Sequence, residues 1–286
     1  MRKLLIILLA CISLSAFGQG RVRHVIQGTS IDSASWTTEW KVIYYNMTEA
    51  NRPAVDTADK FNDAIYSLDT ASILDQADLL YFFNLKNATE ALVNLADPTD
   101  GSFDCVEVGA GALTHTPYLG FDGDGTNYFN TSYVPSTDAT NYALDDGAIA
   151  VYATGTVSVA EEFITGTESA GTASFFSASF SGTVYARINQ GASINYSYDG
   201  EHVFIVSRAA SDDVDIWADG SSQTEGTTAS SSVPTNDVQV FAKGTVNQYN
   251  GGIAMYYLGG NLTVIQRSSL TTIWETLMDY LGNGEL

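Results

Sequence analysis

Three oxygen-bearing side chains, Asp122, Asp124 and Asn127, fall within six residues of one another in the run "GFDGDGTNYFNTSYVPS". Alternate carboxylates in a glycine-rich turn can wrap a hard cation such as calcium with oxygen ligands. The same letters also spell a bend joining two adjacent strands. Glycine tolerates positive φ there, and aspartate caps nearby amides. The EF-hand pattern needs a longer ligand series with a distal glutamate, and this run lacks both. Asp145 with Asp146, and Asp212 with Asp213 and Asp215, are further acidic clusters open to the same two readings.

A second kind of chemistry is sugar binding. Pyranose rings present an apolar face that stacks on aromatic side chains, while amides and carboxylates take the hydroxyls. Tyr185, Tyr196 and Tyr198 lie close together in sequence, beside Asn189 and Asn195. Strand alternation in "DVDIWADG" sends Val214, Ile216 and Ala218 to one face and Asp215, Trp217 and Asp219 to the other. Trp217 on the polar face is therefore either a platform or a cover for the sheet. Trp217, Tyr185, Tyr196, Tyr198 and Asn189 are the candidate glycan-binding residues.

Catalysis finds little support. Glycoside hydrolysis needs two carboxylates about 5–9 Å apart across the scissile bond. Glu161 and Glu162 are adjacent, so on a strand they face opposite ways. Asp213 and Asp215 share a face but have no glutamate nearby. His24, His115 and His202 show no metal-ligand spacing. No serine elbow, Cys–His signature or phosphate loop occurs, and no catalytic residue is assigned.

The whole chain constrains partners further. Its 286 residues carry 12 basic and 33 acidic side chains, a net charge of −21. Between Lys86 and Arg187 there is no basic residue, while 13 acidic ones fall there. Nucleic acid is excluded as a partner on charge, and an anionic membrane surface is disfavoured. The start "MRKLLIILLACISLSAFGQ" has a basic end, a short apolar run and small residues around a cleavage point after Gly18. Residues 1–18 read as a signal peptide, and a secreted or surface location follows. Losing Arg2 and Lys3 would take the charge from −21 to −23. "LLAC" offers the alternative of a lipid anchor on Cys11. The mature chain has no apolar run long enough for a transmembrane helix. Cys105 is then the remaining cysteine, expected as a buried, inert thiol in the strand "FDCVEV".

These candidates must be positioned by two kinds of element. Residues 19–99 read as a helical lead-in or anchor segment. A first helix ends before Arg52-Pro53, and a second, capped by Asp56 or Thr57, carries Phe61, Ile65 and Leu68 at helical spacing. The helical pattern is extended through Leu74, Leu79, Leu80, Phe82 and Phe83 and on to Leu95. From 100 onward short runs rich in β-branched and aromatic residues alternate with turn residues. They are "FDCVEV", "YFNTSYV", "AIAVYATG", "VYARIN", "HVFIVSR", "VDIWADG", "VQVFAK" and "GGIAMYYLGG". "SSLTTIWETLMDYL" reads as a closing helix capped by Ser269 or Thr271 and ended by Gly282. The fold class is mainly β, an antiparallel jelly-roll β-sandwich over 100–286 with an N-terminal helical segment and a C-terminal helix.

The "GDGT" turn before "YFNTSYVPS", the pair "SRAASDDVDIWADG" and the final "YYLGG…WETLMDYL" carry a resemblance. The chain resembles the concanavalin-A-like, laminin-G-like sandwich proteins of phage structural modules and bacterial surface proteins. That resemblance implies a non-enzymatic scaffold displayed on a virion or cell surface, with other surface proteins or glycans as partners. A calcium-dependent glycan-binding adhesin is the alternative, and a polysaccharide-cleaving enzyme the least supported.

Overall fold

The computed structural model describes residues 35–154, 162–169, 172–178, 182–197, 200, 202–244 and 247–284. The segment read as a signal peptide, Cys11 and Tyr198 lie outside the described residues.

The chain enters through helix α1 (Thr38–Asn46), whose N-cap Thr37 accepts from the Trp40 amide. Helix α2 (Val55–Thr70) follows and buries Ala58, Phe61, Ile65 and Leu68 along one face. The Trp40 and Phe61 rings stack at 5.4 Å, fixing α1 on α2. The cap expected at Asp56 or Thr57 is absent, since α2 begins at Val55 after an uncapped Ala54.

A larger correction comes next. The helix expected through Leu79–Phe83 is instead strand β1 (Ala77–Phe82). "ADLLYF" is a continuous apolar run, and such a run fits a fully buried strand as well as a helix. Only a single turn, α3 (Ala88–Ala91), capped by Asn87, appears before the remaining strands.

Fourteen further strands complete two antiparallel sheets: β2 (Val106–Val108), β3 (Thr114–Thr116), β4 (Gly120–Asp122), β5 (Tyr128–Asn130), β6 (Gly147–Thr154), β7 (Glu162–Ser169), β8 (Thr172–Ala178), β9 (Thr183–Gln190), β10 (Ile194–Ser197), β11 (Val203–Ala210), β12 (Asp213–Ala218), β13 (Ser221–Gly226), β14 (Gln239–Val240) and β15 (Gly252–Gly259). A short helix α4 (Pro135–Asp138) lies between β5 and β6. The first sheet runs β13-β12-β11-β6-β15-β4-β3, and the second β10-β9-β8-β7-β14-β5-β2. Strand β15 pairs with β6 along its length. It also pairs with β4 at Gly252 and Ile253 and with β1 from Met255 to Gly259. The lead-in thus supplies a strand beside the centre of the sandwich.

Helix α5 (Val264–Leu281) closes the described chain. It starts earlier than expected, because Thr263 and Gln266 form a capping box, and it ends at Gly282 in the left-handed conformation. Three layers result. Phe82 turns outward to Phe61 of α2, and Tyr81 turns inward beside Tyr256. Between the sheets, Thr165 of β7 donates to the Tyr256 hydroxyl at 3.2 Å, and Phe83, Phe121, Phe129 and Phe241 join in ring contacts. Helices on one side and the second sheet on the other bury β6 and β15 at every residue.

Two polar clamps hold these layers. Asp78 of β1 accepts from the amides of Thr140 (3.2 Å), Asn141 (2.9 Å) and Tyr142 (2.8 Å) and from the Tyr133 hydroxyl (2.8 Å). Arg208 of β11, fully buried, donates to Ile188 O (2.8 Å), Ala210 O (3.0 Å), Ser211 O (2.7 Å), Thr228 O (2.9 Å) and Gln190 Oε1. All five N–H donors of its guanidinium are used, and they tie β11 of the first sheet to β9 of the second.

Cys105 is buried just before β2, and burial pushes its thiol pKa up. His115 of β3 lies against Phe121 at 4.7 Å. Burial lowers its pKa, against the hydrogen bonding of the backbone at Leu85 and Phe83. The unfolded chain therefore binds this proton more readily than the folded one. The stabilisation is whole above the ordinary imidazole value of about 6.5 and is lost as pH falls through the lowered folded value. Urea midpoints at pH 7.5 and 5.0 should fall further apart in the wild type than in His115→Asn. Equal pH dependence in both would contradict this.

Candidate functional site: the outer face of the second sheet

The acidic knot does not gather donors around an ion. Asp124 Oδ1 accepts from the amides of Thr126 and Asn127, both at 2.8 Å, and Oδ2 from the Asn127 side chain. Burial alone would raise its pKa, but these hydrogen bonds from Thr126 and Asn127 outweigh it and hold the carboxyl low. Asn127 is buried, and its own oxygen accepts from the Gly111 amide at 3.0 Å. Asp122 sits in β4 opposite Gly252, where burial raises its pKa. Asp124 and Asn127 are thus committed to holding the turn, and a cation would have to compete with those hydrogen bonds for their oxygens. Among the described residues no three His, Cys, Asp or Glu cluster to hold a metal ion. The bend also differs from the one expected. It joins β4 of the first sheet to β5 of the second, carrying the chain across the sandwich.

Members of the other acidic clusters are spent locally too, though Asp212 and Asp213 are exposed. Asp215 pairs with Arg267 at 2.8 Å. Asp146 accepts from the Asn261 amide at 2.6 Å, and Asp145 from the Ser230 hydroxyl. Glu162 accepts from the Asn250 amide at 2.9 Å.

The four described glycan candidates, Trp217, Asn189, Tyr196 and Tyr185, do not share a surface. Trp217 does lie on the face of β12 that alternation assigned. That face is covered by α5, with the Arg267 guanidinium 5.3 Å from the ring, and Trp217 is only 9% exposed. Asn189 is fully buried. Its amide donates to Ala143 O (2.8 Å) and Leu144 O (3.0 Å), and its oxygen accepts from Tyr142 (2.8 Å). Tyr196 stands opposite Val184 in the β9–β10 ladder and turns with it into the core. Tyr185 stands opposite Asn195, on the other side of the sheet. Tyr185 is thus the described candidate that reaches a solvent-facing surface.

Around Tyr185 the outer face of the second sheet has its own small apolar cluster, Phe163, Ala173 and Phe175. Phe163 and Phe175 meet edge to face at 5.2 Å. Arg187, two residues beyond Tyr185 on β9, lies 5.0 Å from the Phe175 ring. Lys243 lies 4.5 Å from Phe163 and 5.1 Å from Phe175. It reaches there because Gly166 has no side chain: a Cβ would sit 2.9 Å from the Lys243 Cγ and 2.7 Å from the Phe175 Cβ. Lys243 pairs with Glu168. Exposed Asn195 completes the set. The face thus offers a partly buried aromatic ring, an amide, a carboxylate and two cations, the inventory that carbohydrate recognition uses. Sequence reasoning missed Arg187 and Lys243. The available signal was Arg187's place at alternation spacing from Tyr185, at the end of the stretch without basic residues.

No protein family matches the chain by sequence, and no curated protein matches it. By structure it is similar to a botulinum neurotoxin type C protein described as interacting with two ganglioside molecules (13% identity, TM-score 0.49). That match covers 71% of this chain and 52% of that one. It is similar to the ligand-binding domain of botulinum neurotoxin serotype D in complex with N-acetylneuraminic acid (11% identity, TM-score 0.48, 71% and 52%). It is also similar to domain 4 of AbnA, an extracellular arabinanase from Geobacillus stearothermophilus, in complex with arabinotriose (11% identity, TM-score 0.46, 68% and 98%). The chain spans about half the length of the neurotoxin chains it matches. Identities this low carry no ligand over to this protein.

A concavity lies elsewhere, between α2 and α5. It is a groove of about 400 Å³ lined by Tyr66, Ser67, Thr70, Ser268, Ser269 and Thr272. It has an exposed ring and hydroxyls but neither amide nor charge. No helix among the described residues is long and apolar enough to cross a membrane.

Proposed function

We propose that the protein is a non-catalytic β-sandwich module of a cell or virion surface that binds carbohydrate on the outer face of its second sheet. The observation that carries this reading is the juxtaposition of Tyr185 with Asn195 opposite and Arg187 beside it, on a sheet face to whose apolar cluster no helical residue contributes. The ring supplies the stacking platform, and the amide and cation supply directional contacts for hydroxyls and ring substituents. Calcium plays no part in this reading, in which Asp124 and Asn127 serve the turn. The acidic surface keeps such a module soluble.

The test is a glycan array on the purified chain, followed by titration of the strongest hit. Tyr185→Ala should weaken binding about tenfold, roughly 1.4 kcal/mol. Tyr66→Ala in the helical groove should leave it unchanged, as should a chelator. Absence of binding across the array, or loss with Tyr66→Ala instead of Tyr185→Ala, would overturn the assignment.

A further inference from the structure

We propose that Arg187 makes this face selective for sugars bearing a carboxylate, of the uronic acid type; the inference rests on reading the face as the sugar site. Arg187 differs from the other arginines described. Arg208 uses all five donors inside the sandwich. Arg267 is bound to Leu262 O, Asp215 and Asn261. Arg52 bonds Tyr44 O and Tyr45 O. Arg187 donates through Nε alone, to Ser193 Oγ at 2.9 Å, and lies over Phe175. Those two contacts fix the guanidinium and leave both terminal nitrogens without a hydrogen-bond partner among the described residues.

A planar fork held by its inner edge, with an outer edge that no described residue bonds, is the geometry that grips a carboxylate with two parallel hydrogen bonds. Burial lowers the Arg187 pKa and Glu168 raises it; the group stays charged throughout the accessible pH range. The charges facing it are few. Among the described residues of this face, Lys243 and Glu168 pair with each other, which leaves one net positive charge, that of Arg187, in a protein of −21. That local balance matches a ligand with one carboxylate per contact. A densely sulfated chain would meet the acidic remainder of the molecule. Tyr185 and Asn195 give such a sugar its ring and hydroxyl contacts, which favours it over an acidic peptide.

The experiment compares oligogalacturonate and oligomannuronate with their methyl esters, which keep the rings and remove the charge. Isothermal titration should show at least one free acid binding tenfold or more tightly than its ester. Arg187→Gln should bring the two to equal affinity, with an unchanged thermal midpoint showing the fold intact. Arg187→Lys should restore part of the preference. If acid and ester bind alike and Tyr185→Ala weakens both, the carboxylate inference falls while the sugar reading stands. If no acid, ester or neutral glycan binds, both fall. Polyglutamate binding as tightly as the oligosaccharides, or heparin binding more tightly, would also overturn the proposal.

Discussion

Replacing Arg208 by methionine will lower the stability of the sandwich by roughly 3–5 kcal/mol, the range found when one partner of a buried charged network is removed. Methionine fills a similar volume but donates nothing. The buried Ile188 carbonyl and Gln190 side chain, and the part-buried carbonyls of Ala210, Ser211 and Thr228, would lose their donor together. Each unsatisfied acceptor costs about 1–3 kcal/mol on its own, with relaxation recovering part of the sum. Lysine should rescue little, because an ammonium cannot reach acceptors spread over β9, β11 and the loop at Thr228. Urea denaturation measures this through the midpoint. A shift smaller than about 1 kcal/mol would mean that water replaces the guanidinium, and the clamp would lose its importance.

Deleting residues 35–95 will abolish folding altogether. If that stretch were an appended anchor, its removal would leave a soluble sandwich. The structure argues otherwise. Leu79, Leu80, Tyr81, Phe82 and Phe83 are each at most 1% exposed. Burial of side chains of this size contributes about 1.5–3 kcal/mol apiece, so these five supply on the order of 10 kcal/mol. A domain's whole stability is about 5–15 kcal/mol. The deletion would also strip β15 of its partner from Met255 to Gly259, and the amides of Thr140, Asn141 and Tyr142 of the Asp78 carboxylate. An insoluble product, or one without a cooperative transition by circular dichroism, is expected. A soluble variant with native β-sheet signal and cooperative melting would show the lead-in to be separable after all.

How far the sequence was legible depended on which forces acted locally. The runs around β6, β11 and β15 could be read because β-branched and aromatic residues bounded by glycine have few other fates. "ADLLYF" could not, because a run buried on both faces has no period to separate strand from helix. The polar "SSQTEG" gives no apolar alternation, yet it pairs as the edge strand β13 beside β12. At α5 the missed start was written in the sequence, since Thr263 and Gln266 stand at capping-box spacing. The site was harder. Alternation placed Trp217 correctly within its strand but could not say that α5 would lie over it. Tyr185 and Tyr196 look equivalent as letters. The β9–β10 register alone, Tyr185 against Asn195 and Tyr196 against Val184, sends one to solvent and the other to the core.

The pairing of Ala77–Phe82 with Met255–Gly259 also has a kinetic meaning. A nascent polypeptide leaving the ribosome would hold β1 idle until β15 had been made, because its hydrogen-bonding neighbour lies near the opposite end of the described chain. Such high contact order makes folding slow and leaves an adhesive ribbon unsatisfied in the interim. A holdase or a translocation channel would find this chain pliable for as long as its last strand was withheld.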